Sequence, residues 1–333
     1  MTAPNRFESL LRVINYCDDF PLPQTNVEAY TTWVNSLYHF KVPPYATSLG
    51  YVLPHIASEF GACPGWILDE TSTPRTLTLS TGHDQVSRSA IVASTLLHFK
   101  KQDTFRVLDH WRSELKPCYG PTGEVLFAIE RAAFPLLGIV AYGVMLIAYT
   151  RDLQGDIASL WVQRRSENAR THVGLYDGTA AGGMGVYETP FATLLTEARE
   201  EASFSERLMR QRVRACGTLS YFHTRKEEMG GEVGLLQPSV HFLYEMEVPE
   251  DIVPKPNDGN VAGFELLGLG EIKGKILAGD AKPWFALAAM DFFIRHGFIT
   301  EENERDFIEI SMRLHRSLEF PVFGVSFLKK HKS

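Results

Sequence analysis

The chain has 333 residues, 44% hydrophobic and 22% charged, with a formal net charge of -7. That suffices for a sizeable core and, by length, for about two domains. The acidic balance excludes a general nucleic-acid or anionic-membrane binder, so an anionic ligand has to be met by a local basic patch or a bound cation. The four cysteines, Cys17, Cys63, Cys118 and Cys216, lie too far apart for a metal knuckle or a CxxC pair. They predict reduced thiols and a cytoplasmic protein.

The first residues, Met1 to Glu8, lack the basic-then-apolar pattern of a secretion signal. Residues 5–17 read as an amphipathic helix with Phe7, Leu10, Leu11 and Ile14 on one face, and Pro21 and Pro23 end that unit. Residues 27–39 form a second helical candidate and Leu49–Pro54 a short strand. Val86–Lys100 predicts a helix with the stripe Ile91, Val92, Leu96 and Leu97, and Thr104–Leu115 another. The stretch Pro117–Gly123 has linker composition. The expected organisation is therefore an N-terminal α/β domain over 1–120 and a larger domain over 121–333.

The most apolar run, Ala132–Tyr149, is about as long as a bilayer span. It contains Pro135, Gly138 and Gly143 and then alternates β-branched residues, which predicts a buried strand after a turn. Gly138–Tyr149, Ser159–Arg164, Gly217–Phe222, Val240–Met246 and Ala262–Leu267 are strand candidates. Pro283–His296 closes as a helix with Gly297 at its C-terminus. Strands around a central acidic helix predict an α/β (α+β) fold with a mixed sheet. No internal repeat is present.

That central helix carries the chemistry. Thr189 can cap it and Pro190 fits its first position. At 100° per residue, Phe191, Leu194, Leu195, Ala198 and Ala202 fall within about 60° of one direction, the packing face. Glu197, Glu200 and Glu201, at i, i+3 and i+4, share another side, and Glu188 precedes the cap as a fourth acidic group. Like charges so placed cost roughly 0.2–0.5 kcal/mol per pair, whereas a hard divalent cation needs such oxygen ligands. The turn Gly182-Gly183 upstream lets the backbone approach a ligand closely. Strand, glycine turn and carboxylate helix together form a platform for Mg²⁺ or Mn²⁺ that could bridge a diphosphate and acidify a water.

Residues 182–204 resemble the Nudix box, Gly-x5-Glu-x7-Arg-Glu-U-x-Glu-Glu-x-Gly-U, where U is bulky and apolar. Gly182, Glu188, Glu197, Ala198, Glu200, Glu201 and Phe204 match, while Thr196 replaces the arginine and Ser203 the late glycine. Trp161–Ser166, Ala181–Gly183, Lys255–Gly259 and Asp291–Gly297 are similar to the subgroup related to the Nudix part of fungal thiamine pyrophosphokinase. Ala-Ser commonly stands at the late box position in that subgroup.

The resemblance implies a Nudix α/β/α sandwich preceded by a small α/β domain. It also implies Mg²⁺ or Mn²⁺ on Glu197, Glu200, Glu201 and Glu188, and hydrolysis of thiamine diphosphate or its oxidised or damaged analogues to monophosphate and phosphate. Met145 and Asn260 depart from the subgroup's histidine and glutamate, which leaves open isoprenoid, sugar-nucleotide or dinucleotide diphosphates, or a catalytically weak binding protein.

Gly182 and Gly183, one of Arg164 and Arg165, Lys282, and Tyr221 with its neighbours Phe222 and His223 are candidate substrate contacts. The partner expected is a small-molecule diphosphate, with no nucleic acid and no membrane, in a monomer or homodimer. HExxH, P-loop and GxSxG patterns are absent from the sequence. Lys329–Lys332 reads as a solvated tail.

Overall fold

A computed structural model describes residues 7–249 and 251–322, so the Lys329–Lys332 tail and the first residues of the expected 5–17 helix lie outside the described residues. The elements begin with α1 (Leu10–Cys17), α2 (Val27–Ser36), β1 (Tyr38–Lys41), β2 (Gly50–Val52), α3 (Pro54–Gly61), β3 (Trp66–Asp69), β4 (Thr76–Leu79) and α4 (Gln85–Lys101). The strands form a four-stranded sheet in the order β2-β1-β4-β3, with β1 and β4 parallel. Asp84 and Ser87 form a reciprocal capping box that starts α4.

Thr104–Leu115 is not an α-helix: only Arg106–His110 winds, as a 3-10 turn. The Glu232 carboxylate accepts the Arg106 and Val107 amides and so satisfies that turn from far along the chain. Pro117–Gly123 is not a linker but part of a hairpin, β5 (Leu115–Tyr119) and β6 (Val125–Glu130). Gly120 N–H donates to the Glu124 carbonyl (2.8 Å) and Gly123 takes a positive φ of 85°. Glycine and proline mark hairpin turns and linkers alike; the buried Cys118 and Tyr119 beside the turn decide for the hairpin.

The remaining elements are α5 (Phe134–Leu137), β7 (Ala141–Arg151), β8 (Ile157–Arg165), β9 (Tyr176–Asp177), β10 (Ala180–Gly183), α6 (Pro190–Ala202), α7 (Glu206–Arg212), β11 (Arg214–Thr224), β12 (Leu236–Glu247), β13 (Val261–Gly268), α8 (Leu269–Ala278), α9 (Pro283–Arg295) and α10 (Phe307–Arg313). β11-β12-β7-β8-β13 form a mixed sheet, with β10 on β7 and β9 on β8; only β12 and β7 run parallel. The sheet does not close into a barrel among the described residues.

The period of two along β7 builds the layers. Val144, Leu146 and Ala148 pack with Leu194, Ala198 and Ala202 of α6. Met145, Ile147 and Tyr149 pack on the opposite face with α1, α8, α9 and α10. The result is an α/β/α arrangement with a mixed sheet at its centre. α9 is apolar nearly all round, from Phe285 to Phe293, and is accordingly buried.

Packing crosses residue 120 in both directions. Leu10, Val13, Ile14 and Cys17 belong to the core of the larger sheet, while Phe127, Ile129, Leu136 and Ile139 join that of the smaller one. Among the described residues no helix is long and apolar enough to cross a membrane.

Candidate active site

α6 is held as its sequence requires. The Thr189 hydroxyl accepts the Ala192 N–H (3.1 Å), and Pro190 opens the first turn. Ser203 ends the helix with φ 58°, the left-handed conformation glycine would adopt more easily, and its hydroxyl donates to the Lys255 carbonyl (2.8 Å). Leu194, Ala198 and Ala202 are fully buried, as the periodicity predicts, and Phe191 and Leu195 partly so.

The three carboxylates meet different surroundings. Glu200 is exposed and pairs with Arg199 (3.0 Å). Glu197 lies under the glycine turn: a Cβ on Gly182 would stand 1.8 Å from its Oε1. Glu201 is buried, and its Oε2 accepts both Gln163 Nε2 (2.9 Å) and the Ala181 N–H (2.8 Å). Burial pushes the Glu197 carboxyl up to about 7 against the pull of Arg131 and Lys116. Burial, then the charges of Glu197 and Asp177, push Glu201 up to about 8. Glu188 is exposed and serves the turn: its Oε2 accepts the Gly185 N–H (2.9 Å) and the Thr193 hydroxyl (2.7 Å).

Glu197, Glu200 and Glu201 line one wall of a cavity of about 550 Å³. Gly182, Gly183, Arg165, Lys282 and Tyr221 also line it; Glu188 and Arg164 do not. Arg164 lies over the Tyr176 ring at 4.3 Å, so the adjacent arginines separate as strand alternation requires. Arg165 and Lys282 both hold the buried Asp177, at 3.4 and 2.6 Å. Burial alone would raise that carboxyl, but Lys282 and Arg165 bring it below the usual range.

Tyr221 stacks on Trp284 (4.7 Å between centroids, 10° between planes) and belongs to the core as well as to the cavity wall, whereas Phe222 packs elsewhere, against Phe20. Beside the stacked pair, His223 buries both ring nitrogens with no hydrogen-bond partner, and His241 does so with Nδ1. Burial lowers His223 well below the ordinary value and His172 and His241 to about 4. Three neutral imidazoles therefore line this part of the cavity. Met145 and Asn260 line it too.

Sequence reasoning missed the opposing basic groups, Arg112, Lys116 and Arg131, and also Asp177 and Gln163. No local motif marks them; strand pairing and the hairpin bring them in.

The donor set fits a hard divalent cation. It is all oxygen, and two of its carboxyls are desolvated and repel each other, a cost a cation would relieve. Among the described residues no three His, Cys, Asp or Glu side chains already stand grouped to hold a metal. Completing the set requires Glu200 to turn from Arg199. That pair is exposed, 66% and 50% for the two side chains, so leaving it costs roughly 0–1 kcal/mol.

Glu197 and Glu201 have folded values above the ordinary 4.5, so their contribution is complete below that value and is lost as pH rises through about 7 and 8. The buried histidines act oppositely, but above about pH 7 they are mostly neutral in the unfolded chain as well as in the folded one. The melting temperature in EDTA should therefore fall between about pH 7 and 8.5, and Mg²⁺ should flatten the fall. A melting temperature that rises over this window, with or without Mg²⁺, would refute the burial of the two glutamates.

Comparison with known proteins gives three kinds of relative. The family described as Domain of unknown function (DUF4743) matches residues 37–141. Uncharacterized protein YJR142W of Saccharomyces cerevisiae is 29% identical over 323 residues, which cover 95% of this chain and 93% of that protein. Nudix hydrolase 20, chloroplastic, of Arabidopsis thaliana is 34% identical over 208 residues, covering 61% of this chain and 52% of the relative. The chain thus spans about half the length of that plant protein. Among solved structures, DR0079 from Deinococcus radiodurans is 22% identical with a TM-score of 0.39, covering 54% of this chain and 97% of that one.

Proposed function

We propose that the chain is a Nudix hydrolase, a divalent-metal-dependent pyrophosphohydrolase of a small-molecule diphosphate, and its similarity to two plant Nudix hydrolases supports that reading. The observation that carries the reading is the partly buried Glu197 under Gly182, with the buried Glu201 beside it on the same helix, in a cavity that also carries basic side chains. Water adds to phosphorus, the P–O–P bond breaks, and the products are the monophosphate and orthophosphate.

Glu197, Glu200 and Glu201 would hold Mg²⁺ or Mn²⁺, which when bound supplies charge neutralisation and an acidified water. One of these carboxylates, or an acid beside them, takes the water's proton. Glu188 shapes the glycine turn that fits over Glu197. Lys282 and Arg165, through Asp177, position the floor of the cavity. Tyr221, Trp284 and the neutral His223 and His241 offer a flat, polar-edged surface to the organic part of the substrate.

That surface supports a ring-bearing substrate, and our leading candidate is thiamine diphosphate or an oxidised or damaged analogue. An isoprenoid, sugar-nucleotide or dinucleotide diphosphate is the alternative. A second reading, a Nudix-fold binding protein, is favoured by one observation: two protein donors already occupy Glu201 Oε2. We further propose that the chain divides into an N-terminal unit over about 1–120 and a catalytic unit over 121–333, joined by the exchanged packing described above. All four cysteines are unpaired, which accords with a reducing compartment, the cytoplasm in our reading.

A phosphate-release screen in Mg²⁺ and Mn²⁺ tests the function against thiamine, prenyl and nucleoside diphosphates. Metal-dependent release from the thiamine compounds is the expected result. Thermal stabilisation by a ligand with no release from any diphosphate would replace the hydrolase with the binding protein.

A further inference from the structure

Three cations converge on one carboxylate in the wall opposite the acidic helix. Glu114 meets Arg131 at 2.8 Å and Arg112 and Lys116 at 3.9 Å each. The open end of the β5–β6 hairpin makes the cluster, because the Arg131 N–H donates to the Glu114 carbonyl (2.8 Å). Lys116 reaches across to β10, where Nζ donates to the Gly183 carbonyl (2.7 Å), one residue from the glycine that covers Glu197. Arg170 ties the same region down through the His110 and Trp111 carbonyls, both 3.3 Å.

Three positive charges share one ion-paired carboxylate, and Glu197 and Glu188 act on Lys116 without a direct ion pair to it, on a chain whose net charge is -7. Such crowding is unfavourable in a partly desolvated wall unless an anion joins it. Burial, then the neighbouring charge of Arg131, lowers both Arg112 and Lys116. The side chains stay reachable from the cavity, with exposures of 28% for Arg112, 15% for Lys116 and 41% for Arg131. Two guanidinium forks and an ammonium are the donor types that fit phosphate oxygens.

We propose that Arg112, Lys116 and Arg131 form an anion-binding subsite that the region 37–141 lends to the active site, where it grips the phosphate end of a phosphorylated ligand. The region matched as a domain of unknown function thereby gains a role: it supplies the basic half of the cavity. Glu114 is the internal counter-ion that holds the three cations in place and competes with the ligand for them.

Binding of inorganic pyrophosphate to the full chain, measured by calorimetry in EDTA, tests the proposal without requiring turnover. Loss of two charged donors in Arg112→Ala/Arg131→Ala should weaken binding by about tenfold or more. Arg210→Ala, on exposed α7, should leave it unchanged. Glu114→Gln should tighten binding by about threefold, because it removes the competing charge; a merely structural Glu114 would weaken it. Lys116→Met, expected to lose affinity, serves if the double variant fails to fold.

Folded variants that bind as the wild type does, a Glu114→Gln protein that binds less tightly, or a wild type that does not bind pyrophosphate would each overturn the proposal. If the binding pattern holds and no diphosphate is hydrolysed, the subsite stands and the hydrolase reading falls.

Discussion

Glu201→Gln is expected to fold as the wild type does and to lose diphosphate hydrolysis by about 10³-fold. Glutamine keeps the size of the side chain and can still accept from the Ala181 N–H and Gln163 through its carbonyl oxygen. Burial already raises the native carboxyl to about 8, so the metal-free protein at neutral pH gives up little by having a neutral group there. What the variant loses is a negatively charged oxygen ligand and a possible proton acceptor. Steady-state kinetics in saturating Mg²⁺ and a melting curve in EDTA together check this. Equal activity in a folded variant would remove the acidic helix from the chemistry; a collapsed melting temperature would mean that Glu201 is chiefly structural.

Gly182→Ala has the next largest expected effect. Its new Cβ would lie 1.8 Å from Glu197 Oε1 and 2.0 Å from Cδ, so either the carboxylate turns away or β10 moves. Gly182 does not occupy a left-handed conformation, and the objection to alanine is space. A displacement of about 1 Å in a catalytic group can cost about 10²-fold, and kcat/KM is expected to fall by at least that much. Stability should fall by about 1–3 kcal/mol, the usual cost of overpacking. Wild-type kcat/KM in Gly182→Ala would show that the contact between the glycine turn and Glu197 does not matter to turnover.

Some of this was readable from residue order alone. The Thr189-Pro190 cap, the apolar period through Leu194, Ala198 and Ala202, and the Arg164/Arg165 alternation are local, and each appears as expected. Glu201 was expected on an open face beside Glu197 and Glu200, yet it is buried. Its partner Gln163 comes from β8, a contact that helix periodicity cannot see. The four-residue strands β1, β3 and β4 were missed because so short a run gains its extended form from its neighbours, as His39 does opposite Thr76. The glycines and proline near 120 signalled a break, and only the pairing of Lys116 with Ile129 shows that the break is a turn. Arg112, Lys116 and Arg131 were invisible for the same reason: they are scattered in sequence and joined by the hairpin.

The departures from the box also find physical settings. Ser203 stands where the motif has glycine and adopts the left-handed conformation that position demands, anchored to the Lys255 carbonyl. Met145 and Asn260 line the cavity, where they can influence the choice of organic group without touching the acidic helix's own hydrogen bonds.

The most direct measurement is a crystal structure with Mg²⁺ and a non-hydrolysable diphosphate such as methylenebisphosphonate. The account predicts metal on Glu197 and Glu201, Glu200 turned from Arg199 to join them, and phosphate oxygens reaching Arg112, Lys116 or Arg131. Density for the analogue elsewhere, or metal absent from Glu197 and Glu201 at saturating Mg²⁺, would contradict it.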